Sequence, residues 1–322
     1  MTNTLRMLSA IAAMSVGLAV SAQDYPARPI RILVPAAPGG VTDIAARLIG
    51  QRLTQAWGQQ VVVENRAGAG GSIGVAVAAT AAPDGYTLLM TTSGEMTINP
   101  LIYPKLQYNP VQDFAPIVMT TITPLMWVAN SQAPINSLKD LIATAKSRPG
   151  TLPWASPGTG STNHLTGEWF AAETGISLVH VPYKGGAPAA AAIAGGEVPV
   201  GLVAISSAQP HIKSGKMKVL GLTTIKRAAI APEWPTVADA GVKNFDASIW
   251  VGLFAPAATP RDVILKVNRE VNRALQASDL LEKFAAFGAE AVGGTPEDLM
   301  TRMKADAAVF ARVAQQAKIK LD

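Results

Sequence analysis

Short runs of β-branched and aliphatic residues alternate with segments of helically spaced apolar residues along almost the whole chain, and this alternation restricts the fold more than any other feature. Ile30-Arg31-Ile32-Leu33-Val34 is closed by Pro35. After Gly39-Gly40, the positions Val41, Ile44, Ala45, Leu48, Ile49 and Leu53 mark one face of a helix. The same reading predicts strands over 61–63, 86–90, 114–119, 125–129, 152–155, 178–181, 198–204 and 217–222, and helices over 138–146, 163–173, 187–194 and 208–213. Strands that alternate with helices imply parallel sheets flanked by helices, an α/β fold. The tail is helical. Thr259-Pro260-Arg261-Asp262 and Thr295-Pro296-Glu297-Asp298 both read as a Thr N-cap, a Pro at the first helical position and an acid in the first turn. They open helices reaching about 276 and 317, with a short helix over 280–287 between them.

The N-terminus predicts export. Arg6 is the only charged side chain before Asp24, an apolar run follows from Leu8 to Val20, and Val20-Ser21-Ala22 offers the small residues a signal peptidase needs. Residues 1–22 are therefore expected to be removed, with the cut after Ala22. Removal of Arg6 lowers the formal charge from +5 to +4. Lysines and arginines are scattered, Lys226-Arg227 is the only adjacent basic pair, and no basic stripe interleaves with aromatics, which argues against nucleic acid as a partner. The chain has no cysteine, so disulfides and thiolate chemistry are excluded.

Two chain crossings are expected, one at Thr121-Ile122-Thr123-Pro124 and one within 223–235. They divide the chain into a first lobe of 23–122 plus 225–322 and a second lobe of 123–224, with a hinge between and a ligand cleft at the junction. Two strand-to-helix loops suit an anion. Ala36, Ala37, Gly39 and Gly40 precede the first helix, with Thr42 and Asp43 in its first turn. Uncovered backbone N–H groups and the helix dipole there attract a carboxylate. Thr159, Gly160, Ser161 and Asn163 form the matching loop of the second lobe, and Ser93 and Gly94 end the third strand on the same side as the first loop. Glu95 beside them repels an anion unless the ligand also carries an amine. Asp43 could instead cap its own helix. The glycines from Gly68 to Gly74 miss dinucleotide spacing, since the third glycine of that pattern would fall on Ile73. His164, His180 and His211 show no metal spacing, and no cofactor motif occurs. His164 is expected to bond to backbone instead of serving Ser161 as a base.

With these segments laid out, the chain resembles the tripartite tricarboxylate transporter receptor family, the Bug proteins. The resemblance rests on Val34-Pro35 with Pro38-Gly39-Gly40 and Asp43, Val63-Glu64-Asn65-Arg66-Ala67-Gly68, Pro83-Asp84-Gly85-Tyr86-Thr87-Leu88 and Ile98-Asn99-Pro100. It continues through Gly158-Thr159-Gly160-Ser161 with His164, Val181-Pro182-Tyr183-Lys184-Gly185-Gly186 and Gly252-Leu253-Phe254-Ala255-Pro256. The resemblance implies a two-lobed class II periplasmic-binding-protein fold, each lobe a mainly parallel sheet flanked by helices. It also implies closure on a small organic carboxylate, a periplasmic location and partner membrane subunits that move the solute. By position, Ala37, Gly39, Gly40, Thr42 and Asp43 on one side and Thr159, Gly160, Ser161 and Asn163 on the other would hold the acid. No enzymatic role, no metal and no oligomer beyond a monomer is expected.

Three departures from the family pattern bear on the ligand. Ala36 stands where many relatives carry an aromatic, and Glu95-Met96 where a Thr-His pair is common. The strand 200–204 lacks a frequent Asp, leaving Ser206 and Ser207 as its polar candidates. Together they predict a roomier, more apolar pocket, suited to an aromatic or medium-chain acid and not to citrate. A receptor that feeds a sensor kinase or chemoreceptor fits the same residues, and an exported hydrolase using Ser161 or Ser93 is the third reading.

Overall fold

The computed structural model describes residues 25–243 and 245–319. The signal peptide expected over 1–22 lies outside the described residues. In chain order the elements are β1 (Ile30–Val34), α1 (Val41–Trp57), β2 (Val61–Asn65), α2 (Ser72–Ala79), β3 (Thr87–Thr92), α3 (Asn99–Ile102), β4 (Phe114–Asn130), α4 (Leu138–Ser147), β5 (Pro153–Ser156) and α5 (Thr162–Thr174). They continue as β6 (Val179–Pro182), α6 (Gly186–Gly195), β7 (Val200–Ala204), α7 (Ile205–Lys213), β8 (Met217–Leu222), β9 (Ser248–Pro256), α8 (Arg261–Ala274), α9 (Ser278–Ala286), β10 (Glu290–Gly293) and α10 (Pro296–Gln316).

The strands run in the order β2-β1-β3-β9-β4-β7-β5-β6, with β10 and β8 also on β4. Pairing is parallel among β1, β2 and β3 and among β5, β6 and β7, and antiparallel wherever β4 or β9 takes part. Side chains alternate across each strand, and the cores follow that period. On β1, Ile30, Ile32 and Val34 pack with Ala45, Ile49 and Leu53 of α1 and Val267 and Val271 of α8. Leu33 turns the other way, onto Val75, Leu89, Trp250 and Leu299. On β4, Leu125 and Trp127 join Trp154 and Phe170, while Met126 and Val128 join Ile193 and Val203. Both sheets are thus covered on both faces, which explains why their strands read as near-continuous apolar runs.

The strand pattern differs from the sequence expectation at the centre. The two strands expected over 114–119 and 125–129 are one strand, β4, that runs from the first sheet into the second. Its first part pairs with β9 through Pro124↔Ser248, and Leu125 to Asn130 pair with β7 and β8. Register shifts near Pro116 and Met119 let the ladder pass residues that would otherwise interrupt it. The chain between Thr223 and Ala247 buries Val237, Phe245 and Ala247 in the core of the second sheet, and β9 then returns to the first. Strands β9 and β10 carried no strand reading in the sequence. Of the two helix-start signals, Thr295 forms a full capping box with Asp298, whereas at the other Pro260 takes the cap position and the Thr259 hydroxyl is buried without a partner.

Candidate functional site

A cavity of about 370 Å³ lies where the end of β3 faces the loop between β5 and α5. One wall is the segment Gly158 to Asn163, the other includes Thr92, Gly94, Glu95, Asn99 and Tyr103, and Val41 and Ile249 close the sides. The two walls approach each other at Gly94, where an added Cβ would sit 3.5 Å from the Thr162 hydroxyl.

The α5 wall is built to donate. Ser161 caps the helix by accepting from His164 N–H at 3.1 Å, and its own hydroxyl donates to Gly158 O at 2.7 Å. Gly160 N–H donates to His164 Nδ1 at 3.1 Å. These bonds leave the N–H groups of Thr159, Thr162 and Asn163 with no partner among the described hydrogen bonds, at the positive end of a helix dipole. Ser161 and His164 therefore form a cap and not a nucleophile–base pair, and His164 bonds to backbone as expected. The His164 ring stacks on His180, with centroids 3.8 Å apart. Burial, reinforced by His180, pushes the His164 pKa down to about 3, and burial pushes that of His180 down to about 4. Both rings are neutral at physiological pH.

The opposite wall follows from the chain after β3. A π-helical turn, Gly94–Ile98, carries Glu95 back over the strand end, where Oε2 accepts from Thr92 N–H at 3.0 Å and from the hydroxyls of Thr91 and Thr92. Tyr108 O–H donates to Glu95 O at 2.6 Å, and Asn99 Nδ2 donates to Gly70 O at 2.9 Å. The glycines from Gly68 to Gly74, which miss dinucleotide spacing, serve packing here. A Cβ on Gly70 would lie 2.6 Å from the Tyr103 hydroxyl and one on Gly71 2.7 Å from the Glu95 carboxylate, and both residues hold positive φ.

Of the residues singled out from sequence, Gly94, Thr159, Gly160, Ser161 and Asn163 line this cavity. Ala36, Ala37, Gly39, Gly40, Thr42 and Asp43 do not, and Val41 is what that segment contributes. The reason is local. The Asp43 carboxylate is 4% exposed and saturated by Gly39 N–H, Asn65 Nδ2 and the Arg47 guanidinium, so it fixes its own loop. Ala36 packs on the β1–α1 core, so its small size does not widen the cavity. Ser93 is fully buried with an unpartnered hydroxyl. Ser206 is exposed and Ser207 abuts Gly186, both away from the cavity. Lys184 is exposed and takes no ion pair among the described residues. Sequence reasoning missed Gly70, Asn99, Ile102, Tyr103 and Ile249. Of these, Gly70 and Asn99 fall in segments that the sequence marks, Gly68 to Gly74 and Ile98-Asn99-Pro100, and nothing in either segment assigns them a role at the site. No group of three potential metal ligands occurs among the described residues, and no described helix is long and apolar enough to cross a membrane.

Comparisons with known proteins identify the family. Residues 45–318 match the description "Tripartite tricarboxylate transporter family receptor". The protein BugT of Bordetella pertussis is 38% identical over 312 residues, covering 97% of this chain and 96% of its own. Among solved structures, Rpa4515 of R. palustris with adipate superposes with a TM-score of 0.80 at 34% identity, covering 92% of this chain and 100% of that one. MatC from Rhodopseudomonas palustris with bound malate gives 0.75 at 32%, covering 90% and 99%. The chain belongs to the tripartite tricarboxylate transporter receptor family, and its fold is the mixed α/β fold of the periplasmic binding proteins in that family.

Proposed function

We propose that this protein is a periplasmic receptor that captures a small organic carboxylate between its two lobes and hands it to partner membrane subunits. The observation that carries the reading is the set of unpartnered N–H groups at Thr159, Thr162 and Asn163, facing a cavity whose other wall comes from the other sheet. A hydrogen bond to a charged group contributes about 1.5–3 kcal/mol, so three of them offset much of a carboxylate's desolvation without a cation. The acid bound in Rpa4515 and the malate in MatC support the class of ligand. Thr159, Gly160, Ser161, Asn163 and Gly94 are its contacts in this reading. On closure, Ala37 and Gly40, beside Val41, add backbone N–H groups at the start of α1, since Gly39 N–H is held by Asp43. Val41, Ile102, Tyr103 and Ile249 supply apolar surface for the carbon skeleton of a medium-sized acid. Strand β4, which runs from one sheet into the other, and the start of β9, where the chain returns, act as the hinge. Signal cleavage after Ala22 places the protein outside the inner membrane, and catalysis forms no part of this role.

Native mass spectrometry of the protein purified from its host tests the reading. A one-to-one complex that releases a carboxylic acid supports it. A bound molecule without an acid group refutes it.

A further inference from the structure

The cavity is electrically lopsided. Among the described residues, Glu95 supplies the only formal charge on its lining, which holds no lysine, arginine or histidine. Oε2 of that carboxylate is occupied by Thr91 and Thr92, but Oε1 has no partner among the described hydrogen bonds. Asn99 is 5% exposed and turns Nδ2 toward Gly70 O, and its Oδ1 likewise has no described donor. One wall thus presents unsatisfied acceptors at Glu95 and Asn99, and the other presents unsatisfied donors at the start of α5. The glycine at 71 keeps Glu95 in this place, since any larger residue would press on its carboxylate.

A second carboxylate on the ligand would lie against Glu95 with no cation on the lining to offset the repulsion. An ammonium in the same place would pair with Oε1 and accept nothing it cannot use, because it is a donor only. We infer that the ligand is a dipolar acid, an amine-bearing carboxylate whose ammonium rests on Glu95 and whose carboxylate rests on the N-terminus of α5. This rests on the receptor reading of the same cavity and narrows its substrate class.

Calorimetric titration of the exported protein with matched acids tests it: 4-aminobutyrate against butyrate, and glutamate against glutarate. The amine-bearing member of at least one pair should bind at least tenfold more tightly, in keeping with a charge-assisted hydrogen bond. Glu95→Gln should erase that preference, so that the two members of each pair bind alike. Equal or tighter binding of the plain acids by the unaltered protein overturns the inference and leaves the receptor reading standing, and this comparison needs no variant to fold. A preference that survives in Glu95→Gln also overturns it. Failure to bind any mono- or dicarboxylic acid, with or without an amine, overturns both.

Discussion

Asp43→Asn separates a residue that builds the site from one that touches the ligand. The carboxylate accepts from Gly39 N–H at 2.9 Å, from Arg47 at 2.9 and 3.0 Å and from Asn65 Nδ2 at 3.0 Å. The substitution keeps the shape but turns one acceptor oxygen into a donor. Asn65 cannot rotate to compensate, because its Nδ2 also serves Ala36 O at 3.0 Å and its Oδ1 accepts from Arg47 at 3.1 Å. A donor then faces a donor, and the ionic part of the Arg47 contact is lost. Each bond to a charged group contributes about 1.5–3 kcal/mol, and water recovers part of this because Arg47 is half-exposed. The net loss is about 2–3 kcal/mol. With an unfolding entropy of about 2.1 cal/mol/K per residue over roughly 300 residues, the melting temperature falls by roughly 3–5 °C.

The pH dependence of that loss has a definite sign. Burial raises the Asp43 pKa, but the hydrogen bonds from Arg47, Gly39 and Asn65 and the Arg47 charge outweigh it and hold the carboxyl below its usual value. A depressed pKa gives stability that is present above the unfolded value of about 3.9 and is lost as pH falls through the folded value. The gap between wild type and variant should therefore be constant from neutral pH down to about 5 and shrink below about 4. Chemical denaturation without ligand at several pH values measures it. Equal stability at neutral pH, with a loss confined to ligand affinity, would refute the structural role.

Other outcomes follow from single contacts. Gly71→Ala forces a positive φ on a residue with a Cβ and presses that atom on Glu95, so stability should fall by about 2 kcal/mol and ligand discrimination should weaken; unchanged melting and binding would contradict this. Gly167→Ala drives a methyl into the buried Trp154 ring and should cost about 1–3 kcal/mol with a shift in tryptophan emission; an unshifted spectrum would contradict it. His164 and His180 are held neutral in the fold, with pKa values of about 3 and about 4. Because the unfolded state takes up protons first, stability is full above about pH 6.5 and falls as pH drops from there toward 4, with a slope that approaches about 1.4 kcal/mol per pH unit for each ring. Urea unfolding across that range should show the fall, and His180→Gln should flatten it. A flat wild-type profile would contradict neutral burial.

The sequence reveals the α/β class because both sheets are covered on both faces, and buried strands such as β1 and β7 read as apolar runs between helical spacings. It conceals the continuity of β4. Pro124 lacks the N–H that a ladder uses and usually ends a strand, and pairing with distant β9 keeps this stretch extended. The α5 loop was legible because its donors and its helix are contiguous in the chain. The wall opposite was legible only at Gly94 and Glu95. It depends on a π-turn after β3 and on Gly70, Gly71 and Tyr103 meeting over Glu95 across more than twenty residues, and no local pattern signals that contact. The Gly39-Gly40 loop lies outside this cavity, and of the two roles the sequence left open for Asp43, the fold saturates its carboxylate with Gly39, Asn65 and Arg47.

Gly94→Asp tests the central claim most directly. The added side chain fits, with its Cβ 3.4 Å from the Thr92 hydroxyl and 3.5 Å from that of Thr162, and it brings a carboxylate to the start of α5. Calorimetric titration with the tightest-binding acid should give one site in the wild type. The variant should be at least as stable to heat, since an acid at a helix N-terminus stabilises it, and should show no binding, because its own carboxylate occupies the seat. Binding by Gly94→Asp as tight as by the wild type would place the acid elsewhere and contradict the account.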